Sequence, residues 1–312
     1  MKGIEKPQIS SAGSSTDVLI PVDFSPKQNL SLEVGFKLAE RLNSSVTLIH
    51  ASIVPEPMII PQFPDDFNGM DNENTQIEEM EMEEEVDKIN KGSMSDLERR
   101  LRLMQTEGKL PAVKFDNIIS PGMPEEVIKE YCLMSPPKIV VMATRGIEKR
   151  KEELVGSVTA EVIDQAVAPV FTVPEDYDFP GLKAIERICL FCYFEEYDVT
   201  AVSKLMELFS TPNLKIILFP ATDKIKGEAL QSKMKNLVSQ LENLYPGSEF
   251  LASEIDMSCN LRDNAETMFR RESIQMILVP NKKRNAILRF FNPGLAHKIL
   301  YEIDFPLLAI PV

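Results

Sequence analysis

The chain has 312 residues, a net charge of −14 and a hydrophobic share of 44%. This length allows about two domains with cores of their own, and the composition is typical of a soluble globular protein. The acidic balance argues against a nucleic acid partner, because phosphate backbones are bound mainly by clustered Lys and Arg. No apolar run reaches the ~18 residues of a membrane span, and the N-terminus lacks the apolar core of a signal peptide. We therefore expect a cytoplasmic protein with no membrane contact.

In chain order, apolar strands alternate with segments of helical periodicity after a flexible tail over residues 1–16. This alternation predicts βαβ units and a parallel sheet covered on both faces. The strands of the first half are expected near 17–23, 45–52, 113–119, 138–142 and 169–173, and its helices near 26–42, 76–106, 123–133 and 157–166.

The second half repeats the first. A shift of 137 residues places Pro169 on Pro306, whereas the first strands of the two halves are offset by 170, so the first copy carries 33 extra residues. We expect domains over 17–177 and 178–312. The strands of the second copy are expected near 187–193, 213–219, 249–255, 275–279 and 306–311.

A phosphate-sized anion site is predicted where the fourth strand ends. The string there is Ala143-x2-Gly146-x9-Gly156-Ser157, and a helix follows. Glycines let backbone amides approach an anion closely, and a helix start adds free N–H groups and the positive end of its dipole. Asp23 ends the first strand, and right-handed crossovers bring the carboxyl ends of strands one and four to one switch point.

These two landmarks resemble those of the universal stress protein family, in which ATP-binding members carry Gly-x2-Gly-x9-Gly-Ser/Thr after the fourth strand and an aspartate after the first. Ala143 departs from that pattern. The resemblance implies an α/β fold of two flavodoxin-like, adenine nucleotide alpha hydrolase-like domains, each with a five-stranded parallel sheet of order 3-2-1-4-5. It also implies a stress or signalling module that binds ATP or AMP, with or without magnesium, and in which slow ATP hydrolysis is the enzymatic alternative.

The resemblance also implies roles for single residues. Asp23 would accept hydrogen bonds from adenine or ribose, beside apolar contact to the base from Pro21 and Val22. The ribose and the first phosphate would lie against Met142 to Gly146, a stretch that includes Ala143 and Arg145. The outer phosphates would bind Gly156, Ser157 and Val158. Two structural alternatives stay open: Asp23 as a helix cap beside Ser25, and Gly156-Ser157 as a tight turn with a serine N-cap.

The second copy departs from this pattern. Tyr193 stands where the first copy has Asp23, Pro280 stands at the position of Ala143, and Pro293 faces Gly156. Because proline has no N–H to donate, we expect this copy to be a structural or regulatory partner. Its last strand, 307–310, is expected to pair antiparallel with 170–173, which would cover two apolar edges. A homodimer through another surface stays open.

The extra residues form an acidic insertion over about 54–110. Residues 54–91 hold twelve acidic residues against two lysines, a net charge of −10. The insertion lies near the predicted crevice, so a lid, a surface for an unknown protein partner and plain disorder are all open. A scaffold that binds no nucleotide and acts through this insertion is the alternative function.

Few other residues suggest chemistry. Cys189 and Cys192 have metal or redox spacing but lie in an apolar run that favours core cysteines. His50 ends the second strand, where a core or rim role is favoured over catalysis. No Gly-x4-Gly-Lys-Ser/Thr string occurs, which excludes the P-loop ATPases.

Overall fold

One continuous ten-stranded sheet runs through the protein. The computed structural model describes residues 18–53, 71–144, 157–165, 167–174, 185–209, 213–221, 225, 227–253, 269–282 and 305–312. The strands are β1 Val18–Pro21, β2 Val46–Ser52, β3 Phe115–Pro121, β4 Ile139–Ala143, β5 Val170–Val173, β6 Arg187–Cys192, β7 Lys215–Pro220, β8 Glu249–Ala252, β9 Met276–Asn281 and β10 Leu307–Pro311. The helices are α1 Asn29–Arg41, α2 Asp71–Thr106, α3 Pro124–Met134, α4 Ser157–Gln165, α5 Glu196–Phe209 and α6 Gly227–Leu244, and a short 3-10 helix covers Pro26–Gln28.

The strand order is β3-β2-β1-β4-β5-β10-β9-β6-β7-β8. The first half therefore has the predicted order 3-2-1-4-5, and the second half has the same order when it is read from its outer edge. Neighbouring strands within each half are parallel. The predicted doubly wound α/β fold is confirmed.

The two halves join through their last strands. β5 and β10 pair antiparallel, with Leu307 opposite Thr172 and Ala309 opposite Val170. This pairing is the one predicted from the sequence. It turns two apolar edges into the centre of one sheet, and among the described strands β3 and β8 lie at the edges of that sheet.

Alternate residues of the strands point into two apolar layers, one on each face of the sheet. Val18 and Ile20 lie in one layer with α1, α2, α5 and α6, while Leu19 lies in the other with α3 and α4. Each layer contains residues of both halves. Across the junction, the rings of Phe171 and Phe209 meet edge to face with centroids 5.9 Å apart.

Helix α1 packs very closely on the first strand because it carries a glycine at the contact. A Cβ added at Gly35 would lie 2.4 Å from Cδ1 of Ile20. The helix ends near Asn43, whose φ of 49° is in the left-handed region. Lys138 then donates to the carbonyl of Leu42 at 3.0 Å, which fixes the end of α1 beside the start of β4.

Two predicted boundaries shift. The helix of the acidic insertion begins at Asp71, five residues before the expected start, and spans 36 residues. Strand β3 runs from Phe115 to Pro121, two residues later than expected. The tail expected over 1–16 lies outside the described residues. Among the described helices, none is both long and apolar enough to cross a membrane.

Candidate functional site

The predicted crevice lies at the carboxyl ends of β1 and β4. These strands are direct neighbours, with Val18 opposite Ile139 and Leu19 opposite Val140. Asp23 and Ala143 therefore follow adjacent strands at the same edge of the sheet, although 120 residues separate them in the chain. This is the switch point of a doubly wound sheet, where ligands bind in such folds.

Asp23 belongs to a tight loop between β1 and the 3-10 helix. Its Oδ1 atom accepts a hydrogen bond from the N–H of Ser25 at 3.0 Å, an Asx turn just before the 3-10 helix, whose N-cap residue is Ser25. The side chain is half-buried, and within the described part of the chain Oδ2 makes no hydrogen bond. One carboxylate oxygen thus shapes the loop, and the other has no donor among the described residues.

The side chain of Gln28 stabilises this loop. Its buried Oε1 atom accepts hydrogen bonds from the N–H groups of Asp23 and Phe24, at 3.0 and 3.2 Å. Phe24 has a φ of 61°, a conformation that non-glycine residues adopt only where the surroundings hold it. Gln28 was not among the predicted site residues.

His50 forms part of the rim beside Asp23. Its Nδ1 atom donates to the carbonyl of Val22 at 2.8 Å, and its ring lies against Phe24 with centroids 4.3 Å apart. Both contacts orient the imidazole at the end of β2. A core or rim role for His50 stays a prediction.

The loop after β4 is tied to the start of α4. The Thr159 hydroxyl donates to the carbonyl of Ala143 at 3.0 Å. Because Thr159 lies in the first turn of α4, this bond holds the N-terminus of the helix, with its free N–H groups, beside the end of the strand. Thr159 was also missed by the sequence analysis.

Helix α4 is held at its other end by the second half of the chain. Asn281, the last residue of β9, donates from Nδ2 to the carbonyl of Ile163 at 2.5 Å. This carbonyl lies in the last turn of α4, where helix carbonyls lack intrahelical partners. The second half thereby positions the helix that borders the site of the first half.

Within the part of the chain that the structure describes, two buried hydroxyls at the switch point have no hydrogen-bond partner. Ser25 follows β1 and Thr144 follows β4, and both side chains are buried. Among the described residues, neither Oγ of Ser25 nor Oγ1 of Thr144 has a hydrogen-bond partner. An unpaired buried hydroxyl costs about 1–3 kcal/mol, so each is a place where a polar ligand would gain a bond.

The predicted site residues are distributed as follows. Pro21 and Ala143 end their strands and are partly exposed, whereas the side chains of Val22 and Met142 are buried in the core. Val158 is half-buried against the core layer that contains α4. Ser157 begins α4, but its side chain, like Arg145, Gly146 and Gly156, lies outside what the structure describes.

The equivalent edge of the second half is organised differently. Asp198 takes the place of Gln28, and its fully buried carboxylate accepts hydrogen bonds from the N–H groups of Tyr193, Phe194 and Glu195 at 2.6–3.1 Å. Burial raises the pKa of Asp198 to about 6, although the hydrogen bonds from the backbone N–H groups oppose that shift. Phe194, like Phe24, has a positive φ, here 64°.

Tyr193, where the first half has Asp23, packs its ring against Tyr197 with centroids 5.7 Å apart. The Nζ of Lys282 lies 5.9 Å from the centroid of the Tyr197 ring. Aromatic rings therefore occupy the edge where the first half presents a carboxylate. The described residues of this edge supply no counterpart of Asp23.

Cys189 and Cys192 are core residues of β6. Both thiols are free and fully buried. Burial raises the pKa of both thiols well above the ordinary value, and the Asp198 carboxylate adds to the effect on Cys192. A thiol of raised pKa is a poor nucleophile and metal ligand, which agrees with the core interpretation.

Comparisons with known proteins agree with this architecture. The family model described as the universal stress protein family matches residues 15–174. The fold is similar to that of a universal stress protein from Archaeoglobus fulgidus DSM 4304, with a TM-score of 0.60 and 14% identity over 95% of this chain and 98% of that one. It is also similar to a functionally unknown protein from Pseudomonas aeruginosa PAO1, with a TM-score of 0.58 and 9% identity over 94% of this chain and 92% of that one.

No curated protein matches the chain. At these identities the solved structures establish the fold alone, whereas the family model covers just over half of the sequence. Together with the strand order and the landmarks at Asp23 and Gly156, the match leads to one conclusion: the chain belongs to the universal stress protein family.

Proposed function

We propose that the first half of the chain, residues 17–177, binds one adenine nucleotide, ATP or AMP, and serves as a nucleotide-responsive stress or signalling module in the cytoplasm. The observation that carries the proposal is the pair of unpartnered buried hydroxyls, Ser25 Oγ and Thr144 Oγ1, at the ends of neighbouring strands. Each lies where a polar ligand at the switch point would pass. A ligand that bonds both removes a cost of about 1–3 kcal/mol per group.

Charge and chemistry at the crevice suit a nucleotide. Asp23 Oδ2 is placed to accept a hydrogen bond from an adenine amino group or a ribose hydroxyl. The N-terminus of α4, fixed by Thr159, offers backbone N–H groups and a positive dipole to phosphate. In this assignment the base contacts Pro21 and Val22, the ribose and first phosphate contact Met142, Ala143, Arg145 and Gly146, and the outer phosphates contact Gly156, Ser157 and Val158. Since the side chains of Val22 and Met142 are buried in the core, these two residues would contribute their backbone atoms.

The proposal is one site per chain. At the second edge Tyr193 replaces the aspartate, and Asn281, which corresponds to Thr144, already donates to Ile163. Pro293 removes an N–H at the position that faces Gly156. The second half is therefore proposed to support α4 rather than to bind a ligand of its own.

Calorimetric titration of the full chain with ATP and with AMP, in the presence of magnesium, tests this proposal. We expect a stoichiometry of one. Asp23→Asn keeps an oxygen that can accept the hydrogen bond from Ser25, but it places an N–H₂ group where Oδ2 would face the nucleotide. The affinity should therefore drop by about tenfold. Asp116→Asn, an exposed carboxylate on β3, is the matched control and should bind as the parent does.

Gly156→Pro is the complementary variant, because the second half already carries proline at the facing position. We expect it to abolish binding while the fold persists. Two equivalent sites, no binding at millimolar ATP, or parental affinity in Gly156→Pro would each overturn the assignment of the phosphate site.

A further inference from the structure

Helix α2 is much longer than the sheet that supports it. The hydrogen bond from Asn90 Nδ2 to Ser52 Oγ, 2.8 Å long, ties the helix to the last residue of β2. From Met94 onward the helix buries Met94, Leu97 and Leu101 against the sheet. Residues 71–89 lie before this contact and amount to about 28 Å of helix. Since α2 runs back along β2, this part extends past the carboxyl edge of the sheet.

An apolar stripe of its own runs along this projecting part. Met82, Val86 and Ile89 have the spacing i, i+4 and i+7, so they share one face of the helix. Around the helix axis Val86 lies about 20° from the direction of Leu97, whereas Ile89 is turned about 80° away from it, so the stripe lies beside the buried face rather than in line with it. Ile89 is nevertheless 58% exposed and Met82 38% exposed. The stripe is therefore an apolar helix face that the folded chain leaves largely exposed.

Carboxylates border the stripe on both sides. At about 100° per residue, Glu83 lies on one side of Val86 and Glu85 on the other, while Met80 and Glu84 lie on the opposite face. Residues 80–89 hold five acidic side chains against Lys88, a net charge of −4. Outside the stripe, every side chain of this stretch is exposed.

We propose that this face of α2, defined by Met82, Val86 and Ile89 between Glu83 and Glu85, is the docking surface for a cationic amphipathic helix of another protein. Apolar side chains of the partner would cover the stripe, and flanking Lys or Arg would meet the two carboxylates, as charged positions do beside the seam of a coiled coil. A second copy of this chain fits poorly, because two such helices would set carboxylates against carboxylates. The surface does not depend on nucleotide binding.

A synthetic helix tests the surface on the full chain. The probe is a fluorescent 18-residue peptide of Leu and Lys, with Leu at i, i+3, i+4 and i+7, and its binding is followed by anisotropy at two salt concentrations. The comparison peptide has the same Leu positions with Glu in place of Lys. We expect the Lys peptide to bind, more weakly at high salt, and the Glu peptide not to bind.

Matched variants locate the binding. Met82→Gln/Ile89→Gln should weaken the Lys peptide by about tenfold, while Met80→Gln, on the opposite face, should change the affinity less than twofold. Glu83→Gln/Glu85→Gln should reduce both affinity and salt dependence. Glu84→Gln/Asp87→Asn also removes two negative charges, but away from the stripe, and should change neither the affinity nor the salt dependence.

Equal affinity of the stripe variants and their controls would overturn the proposal, because the peptide would then bind by net charge alone. Binding of the Glu peptide as tightly as the Lys peptide would overturn the choice of a cationic partner. A doubled mass in light scattering that disappears in Met82→Gln/Ile89→Gln would assign the face to a second copy instead. Circular dichroism checks that helix content is unchanged, which is expected because these side chains are exposed in the folded chain.

Discussion

Removing the charge of Asp198 should change how the stability of the protein depends on pH. This carboxylate is fully buried and binds the N–H groups of the β6–α5 loop. Burial raises its pKa from 3.8 to about 6. The folded protein therefore binds the proton of Asp198 more tightly than the unfolded chain does. The stabilisation from that proton is present at low pH and is lost as pH rises through the interval from 3.8 to 6.

The size of the effect follows from the two pKa values. A difference of about two pKa units corresponds to roughly 3 kcal/mol over the whole interval. Between pH 5 and 7.5 the free energy of unfolding should fall by roughly 1 kcal/mol through this one group. In Asp198→Asn the group does not titrate, so this part of the pH dependence should be absent.

Urea denaturation of the parent and of Asp198→Asn at pH 5, 6 and 7.5 measures the difference. The difference in free energy of unfolding between the parent and Asp198→Asn should become smaller as pH rises, whatever its value at pH 5. Glu196→Gln is the matched control, an exposed carboxylate in the first turn of the same helix, and it should follow the parent at each pH. Parallel pH curves for the parent and Asp198→Asn would refute the link between burial and titration.

Three further predictions concern the packing of the fold. Thr159→Val should lower the free energy of unfolding by about 1 kcal/mol and weaken ATP binding, because the hydrogen bond to the Ala143 carbonyl is lost. Thr159→Ser keeps the hydroxyl and should retain both stability and binding. Equal behaviour of the two variants in thermal melts and titrations would contradict this role. Gly35→Leu should destabilise the chain by about 2 kcal/mol or more, since even a Cβ would lie 2.4 Å from Ile20, and an unchanged urea midpoint would show that α1 can move away. A fragment of residues 1–177 should form dimers through β5, whose partner β10 has been removed, and light scattering of a folded monomer at high concentration would count against this.

Much of the architecture could be predicted from the sequence because it rests on periodic patterns. Alternation of apolar runs with helical spacing predicted the parallel sheet, and the repeat predicted that both halves share one strand order. The apolar final strands predicted the antiparallel pairing of 307–310 with 170–173, while the register that sets Leu307 opposite Thr172 came only from the structure. The boundaries of α2 and β3 were less accurate because the ends of elements depend on contacts that periodicity does not record.

The residues that hold the loops were decided by the tertiary structure. Gln28 and Asp198 lie 170 residues apart, the same offset that relates Asp23 to Tyr193, so the repeat could have paired them. Yet the sequence did not show that this amide and this carboxylate have the same role. Both accept hydrogen bonds from backbone N–H groups, which every residue except proline offers. A hydrogen bond to the backbone cannot be predicted from the residue type of the partner.

The same reason applies to the contacts that position α4. Thr159 donates to the carbonyl of Ala143, and Asn281 donates to that of Ile163 across the two halves. Every residue offers such a carbonyl, so no pattern identifies the acceptor. The sequence determined the sheet, its order and the edge where a ligand would bind. Only the folded chain decided which polar side chains fix that edge, because hydrogen bonds to the backbone depend on proximity in space rather than on residue type.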